Sequence, residues 1–98
     1  MSLDDIRSKI EEKIQKNSHI KMAVCFDMGS DGSLYVDTNE TPAVITTDAR
    51  DVEVTLKVSK DVVEDILAKK QDPRMAFMTG KLKVEGSMGS AMKLTSIL

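Results

Sequence analysis

Between Ile20 and Met28 the chain alternates without a break: Ile20, Met22, Val24, Phe26 and Met28 fall on one side, Lys21, Ala23, Cys25 and Asp27 on the other. A period of two with apolar residues on a single side describes a strand with one buried face. Such a strand needs partner strands beside it and a covering layer above it. The chain offers both. Leu34-Tyr35-Val36-Asp37 follows the turn Gly29-Ser30-Asp31-Gly32, and Ala43-Val44-Ile45-Thr46 lies between the breaks Asn39-Glu40-Thr41-Pro42 and Asp48-Ala49-Arg50-Asp51. Val52, Val54, Leu56 and Val58 then alternate with Glu53, Thr55 and Lys57. Each connection is too short for a parallel crossover, so these segments are expected to form a four-stranded antiparallel meander. Leu82 and Val84, among Lys81, Lys83 and Glu85, predict a short fifth strand.

Helices supply the cover. Leu3, Ile6, Ile10 and Ile14 recur at helical spacing, with Ser2 as the expected cap and Asp4 and Asp5 at the positive end of the dipole; Asn17-Ser18 end the helix. Ser59 is placed to cap a second helix carrying Val62, Val63, Ile66 and Leu67, which runs out at Lys69-Lys70. Asp72-Pro73 has the form of an N-cap followed by proline, opening a short helix through Met75, Ala76, Phe77 and Met78 that Gly80 stops. After Gly86 a last helix aligns Met88, Ala91, Met92 and Thr95. The expected class is α+β: an N-terminal helix and a five-stranded, mainly antiparallel sheet covered by helices, in one domain over residues 1–98.

Catalytic chemistry finds little to work with. The chain has one histidine and one cysteine, and His19 and Cys25 lie about 20 Å apart along an extended strand, beyond hydrogen-bond reach. Asp27, Asp31 and Asp37 are scattered around a hairpin rather than set at ligand spacing, and Glu11-Glu12 and Glu64-Asp65 fall on helix surfaces. No phosphate-binding glycine loop follows a strand in the required pattern. Gly86-Ser87-Met88-Gly89 contains a GxxG, the loop that clamps nucleic acid in some folds, but no basic residue lies between the glycines. Together with a net charge of −2, these features argue against nucleic-acid binding and predict a protein that is not an enzyme and needs no cofactor or metal. A single cysteine and an acidic N-terminus without a signal-peptide pattern suit a cytoplasmic location.

The composition is unusual in one respect. Tyr35, Phe26 and Phe77 are the whole aromatic content, while methionine reaches 7. Methionine fills irregular interiors and also recurs on surfaces that accept several ligands. Four of the seven, Met75, Met78, Met88 and Met92, fall in the last third, beside Lys69, Lys70, Arg74, Lys81, Lys83 and Lys93. Basic groups around an apolar region suit transient contact with an anionic membrane surface, and suit equally the plain task of keeping a strand edge soluble.

The stretch from Asp72 to Leu94 resembles the signature of the sterol carrier protein type-two family of non-specific lipid-transfer domains. The resemblance rests on Ala76-Phe77, Gly80-Lys81-Leu82-Lys83, Val84, Gly86 and Met88-Gly89, followed by Ala91-Met92-Lys93-Leu94. It extends more loosely over the helix, the strands and the Val62–Lys70 segment. It implies an intracellular, non-catalytic carrier whose lipid ligand (a fatty acyl, acyl-CoA, sterol-like or phospholipid chain) lies in an apolar tunnel between sheet and helices. Carried over residue by residue, the tunnel wall is expected at Phe77, Met78, Leu82, Val84, Met88 and Met92, with Ile66 and Leu67 beside them. Thr79 departs from the family's pattern, standing where relatives often have glutamine, and the ending Ser96-Ile97-Leu98 lacks the basic penultimate residue of a peroxisomal address. Related domains also serve as accessory modules, so a groove for a partner helix or an isoprenoid chain is the alternative reading.

Overall fold

A computed structural model of the chain describes residues 3–17, 19–40 and 43–98. The expected cap Ser2, and Ser18, Thr41 and Pro42 in the expected breaks, lie outside the described residues. Helix α1 (Leu3–Lys16) leads into β1 (Ala23–Asp27), a short 3-10 turn at Gly29–Asp31 and β2 (Ser33–Asp37). Then come β3 (Val44–Thr46), β4 (Val54–Val58), α2 (Lys60–Leu67), α3 (Pro73–Met78), β5 (Leu82–Gly86) and α4 (Met88–Ile97). The five strands form one sheet in the order β3-β2-β1-β4-β5.

That order corrects the expected meander. β1 pairs antiparallel with β2, and β2 with β3, but β4 lies on the far side of β1 and runs parallel to it. The crossover from β3 to β4 takes only residues 47–53 and no helix. It succeeds because β3 is three residues long and ends level with Cys25, while β4 starts level with Val24. The link therefore spans three strand spacings, about 14 Å, well within the ~26 Å that eight extended steps reach. It skirts the ends of β2 and β1: the Arg50 guanidinium meets Asp37 at 3.4 Å and Glu40 at 2.7 Å, and the Glu53 N–H donates to the Ala23 carbonyl at 3.0 Å.

Registers align the apolar residues into rows across the sheet. Ile45, Val36, Val24 and Val54 form one row, and Leu34, Phe26, Leu56 and Val84 the next. Ile6, Ile10 and Ile14 of α1, Val63, Ile66 and Leu67 of α2, Ala76 of α3, and Ala91, Leu94 and Ile97 of α4 join these rows in a single core. The opposite face carries Thr46, Tyr35, Cys25, Thr55 and Glu85 in register.

Local chemistry sets most helix starts as expected. The Ser59 Oγ accepts from the Val62 N–H at 3.3 Å, and the Asp72 Oδ1 accepts from the Arg74 N–H at 2.8 Å. At the start of α4 the Ser87 Oγ accepts from the Ser90 N–H at 3.2 Å. Gly86 just before it has φ of 104°, and a Cβ there would overlap the Glu53 carbonyl oxygen and stand 3.1 Å from the Val54 Cα. The GxxG thus turns a strand into a helix at a place where β4 comes too close for any side chain.

Gly86→Ala is expected to destabilise the fold by about 2–4 kcal/mol in urea titration, since positive φ and a backbone clash add. Gly80→Ala, at φ of 78° with open space around it, is expected to cost only about 1 kcal/mol, the conformational part alone.

Candidate functional site

The interior between sheet and helices is almost wholly apolar. Thr38 is the one buried polar residue among the described ones, and its demands are met locally: its hydroxyl accepts from the Met22 N–H at 2.8 Å and donates to the Met22 carbonyl at 3.0 Å. Two small enclosed spaces remain, each of about 10 Å³. The first lies among Val58, Val63, Ile66, Leu67 and Leu82, the second among Met22, Val24, Val36, Leu94 and Ile97. Ile10, Phe26 and Leu98 border both, so these three side chains are the partition between them.

The tunnel expected from the resemblance does not stand open here. A space of about 10 Å³ has room for one water, whereas sites that enclose a small molecule run to roughly 300–1,000 Å³. Side chains fill the rest, as close packing demands.

The expected wall residues separate into two groups. Ile66, Leu67 and Leu82 are buried and line the first inner space, while Val84 is half-buried against the core. Phe77, Met78, Met88 and Met92 lie on the outside, at 44%, 76%, 51% and 69% exposure, together with Met75 at 50%. The reason is rotational. In α4 the buried stripe is Ala91, Leu94 and Ile97, which turns Met88 and Met92 outward; in α3 only Ala76 is buried. α3 packs on β5 and α4 on β4 and β5, so all five exposed apolar side chains belong to the two helices that cover this side of the sheet.

Sequence reasoning placed Ile10 and Phe26 in apolar stripes but did not single them out, and it passed over Leu98. The signal for Leu98 was present, since Ala91, Leu94 and Leu98 continue one helical spacing.

Reactive groups are scarce. Burial pushes the Cys25 thiol above its ordinary pKa, against the opposing contact with Tyr35, which disfavours the thiolate a nucleophile needs. No group of His, Cys, Asp or Glu among the described residues is placed to hold a metal ion. No helix among them is long and apolar enough to cross a membrane. Two wider cavities open to the outside, one of about 450 Å³ by the α2–α3 turn and the end of α4, the other of about 270 Å³ where α1 meets β3.

The division of the wall residues has a direct consequence for stability. Leu82→Ala is expected to cost about 2–5 kcal/mol in thermal or urea unfolding. Met92→Ala and Met78→Ala are expected to stay within about 0.5 kcal/mol of the parent.

Comparison with known proteins follows the same lines. A family model described as the SCP-2 sterol transfer family matches residues 4–98. A non-specific lipid-transfer protein-like 1 of Caenorhabditis elegans is 35% identical over 104 aligned positions, which cover 97% of this chain and 88% of that protein. Sterol carrier protein domain 2 of Helicoverpa armigera superposes with a TM-score of 0.73 at 26% identity, over 96% of this chain and 82% of that one. Sterol carrier protein 2 from Yarrowia lipolytica, in its apo form, superposes with a TM-score of 0.67 at 25% identity, over 91% of this chain and 73% of that one.

Proposed function

The chain belongs to the SCP-2 sterol transfer family, and we propose that it shelters the apolar part of a lipid between its sheet and helices without transforming it. The observation that carries this reading is the partition of Ile10, Phe26 and Leu98. These three side chains alone border both apolar spaces, so their displacement would join the two with no polar group left stranded.

The energetics suit a carrier. Burying ~15 methylenes at ~0.8 kcal/mol each yields roughly 12 kcal/mol gross. Association and ordering take back about 4–15 kcal/mol, and here the ligand must also open a packed interior. Binding no tighter than micromolar, with ready release, is the outcome, and a fatty acyl, acyl-CoA, sterol-like or phospholipid chain satisfies the same apolar demand.

Delivery requires a membrane, and the outer faces of α3 and α4 suit that contact. Their exposed Met75, Phe77, Met78, Met88 and Met92 are accompanied by exposed Lys69, Lys70, Arg74, Lys81 and Lys93. Lys83 alternates with Leu82 and Val84 and belongs to the opposite sheet face, so it takes no part in this surface. The N-terminal helix is poorly suited to the task, because its apolar stripe, Ile6, Ile10 and Ile14, is spent on the core.

The delipidated protein is expected to bind a fluorescent long-chain acyl probe saturably at micromolar protein, and absence of saturable binding overturns the carrier reading. Met78→Glu with Met92→Glu is expected to slow probe transfer from anionic vesicles several-fold while leaving the melting temperature unchanged. Unchanged transfer would remove α3 and α4 from the membrane-facing surface.

A further inference from the structure

The cavity of about 450 Å³ between the α2–α3 turn and the end of α4 has a mixed lining with a definite order. Two of its apolar members, Ile66 and Leu98, also wall the first inner space. Its cationic members are Lys69 and Arg74. The cavity is therefore separated from the apolar interior by a single layer, and Leu98 belongs to all three spaces.

Two cations and one carboxylate line this place, an excess of one positive charge. Neither Lys69 nor Arg74 forms an ion pair among the described residues. The carboxylate in the lining, Asp72, accepts from the Arg74 backbone N–H in capping α3. Lys13 reaches the Leu98 carbonyl oxygen at 3.5 Å, and burial first, then the charge of Lys69, holds its ammonium below the ordinary value. A third cation thus stands at the same gate, repelled by the first.

The backbone adds an independent sign. Lys69 is the one non-glycine residue among the described ones with positive φ, at 62°. Glycine is the relaxed choice where a helix ends in this conformation. Here a long cationic side chain occupies the position at the cost of backbone strain.

We propose that this cavity is the head-group site for an anionic single-chain amphiphile. Lys69 and Arg74 hold the charged head, and the tail passes between Ile66 and Leu98 into the joined inner spaces. The assignment rests on the carrier reading and adds to it a preference among ligands: an acid is favoured over a neutral molecule with the same tail. The head is bound by charge-assisted hydrogen bonds at a partly exposed rim, so the preference weakens as salt rises.

The test compares a long-chain fatty acid with the fatty alcohol of equal chain length, each displacing the same fluorescent probe from the full chain. Lys69→Gln combined with Arg74→Gln is expected to weaken the acid about tenfold, the scale of one lost charge-assisted contact, and the alcohol less than twofold. Raised salt is expected to reproduce the loss for the acid alone. Equal losses for both ligands, or no loss for the acid, overturn the head-group site while leaving lipid binding in place. Failure of the parent protein to bind either ligand overturns the carrier reading itself. Leu98→Ala, with both cations intact, is expected to speed acid entry in stopped flow, and an unchanged rate refutes the gate.

Discussion

The architecture depends on how β4 is inserted between β1 and β5, and Glu53 is where that insertion is held. Its backbone N–H donates to the Ala23 carbonyl at 3.0 Å and its Oε1 accepts from the Ala23 N–H at 3.2 Å, which anchors the start of β4 to β1. Its carbonyl accepts from the Ser87 N–H at 2.9 Å, and Gly86 lies against the same carbonyl. One residue therefore ties the parallel pair to the last strand and to the start of the last helix. The apolar rows run continuously across five strands only because this junction is in register, and α4 covers them from a fixed root at its N-terminal end.

From that root α4 runs to Leu98, which packs against the core. The N-terminal half is tied by the Ser87 cap and by contact with β4 and β5, whereas Leu98 at the far end is held by the Leu94 carbonyl at 3.1 Å and by Lys13. Close packing closes the interior around Ile10, Phe26 and Leu98, and the proposed carrier role requires these side chains to part. Under that proposal the burial of the ligand's apolar part is what shifts the balance, which reconciles a filled core with a carrier's task.

Much of this was legible in the sequence wherever the signal is local. The stripe Leu3–Ile14, the alternation at Val24 and Phe26, the caps Ser59 and Asp72 and the turn at Gly80 each express a short-range preference, and each element formed where that preference lies. Strand order was not legible, because it depends on where β3 stops relative to its neighbours. A strand of three residues relaxes the usual need for a long crossover. The candidate site was legible in part for a related reason. Strand alternation placed Met22 and Met28 inside. Methionine itself reads the same whether it fills a core or faces water, and the short helices gave no such signal to put Met78 and Met92 outside. The partition residues were hidden by their ordinariness, as apolar side chains among many others.

The two populations of methionine differ in their chemical fate. Met22 and Met28 are shielded at 2% and 3% exposure, whereas Met75, Met78, Met88 and Met92 present their thioether sulfurs to the medium at 50% or more. A peroxide reaches the outer set first, and each sulfoxide replaces grease with a strong dipole. Oxidative damage would therefore blunt the surface of α3 and α4 while the packed barrel of side chains beneath went on holding its shape.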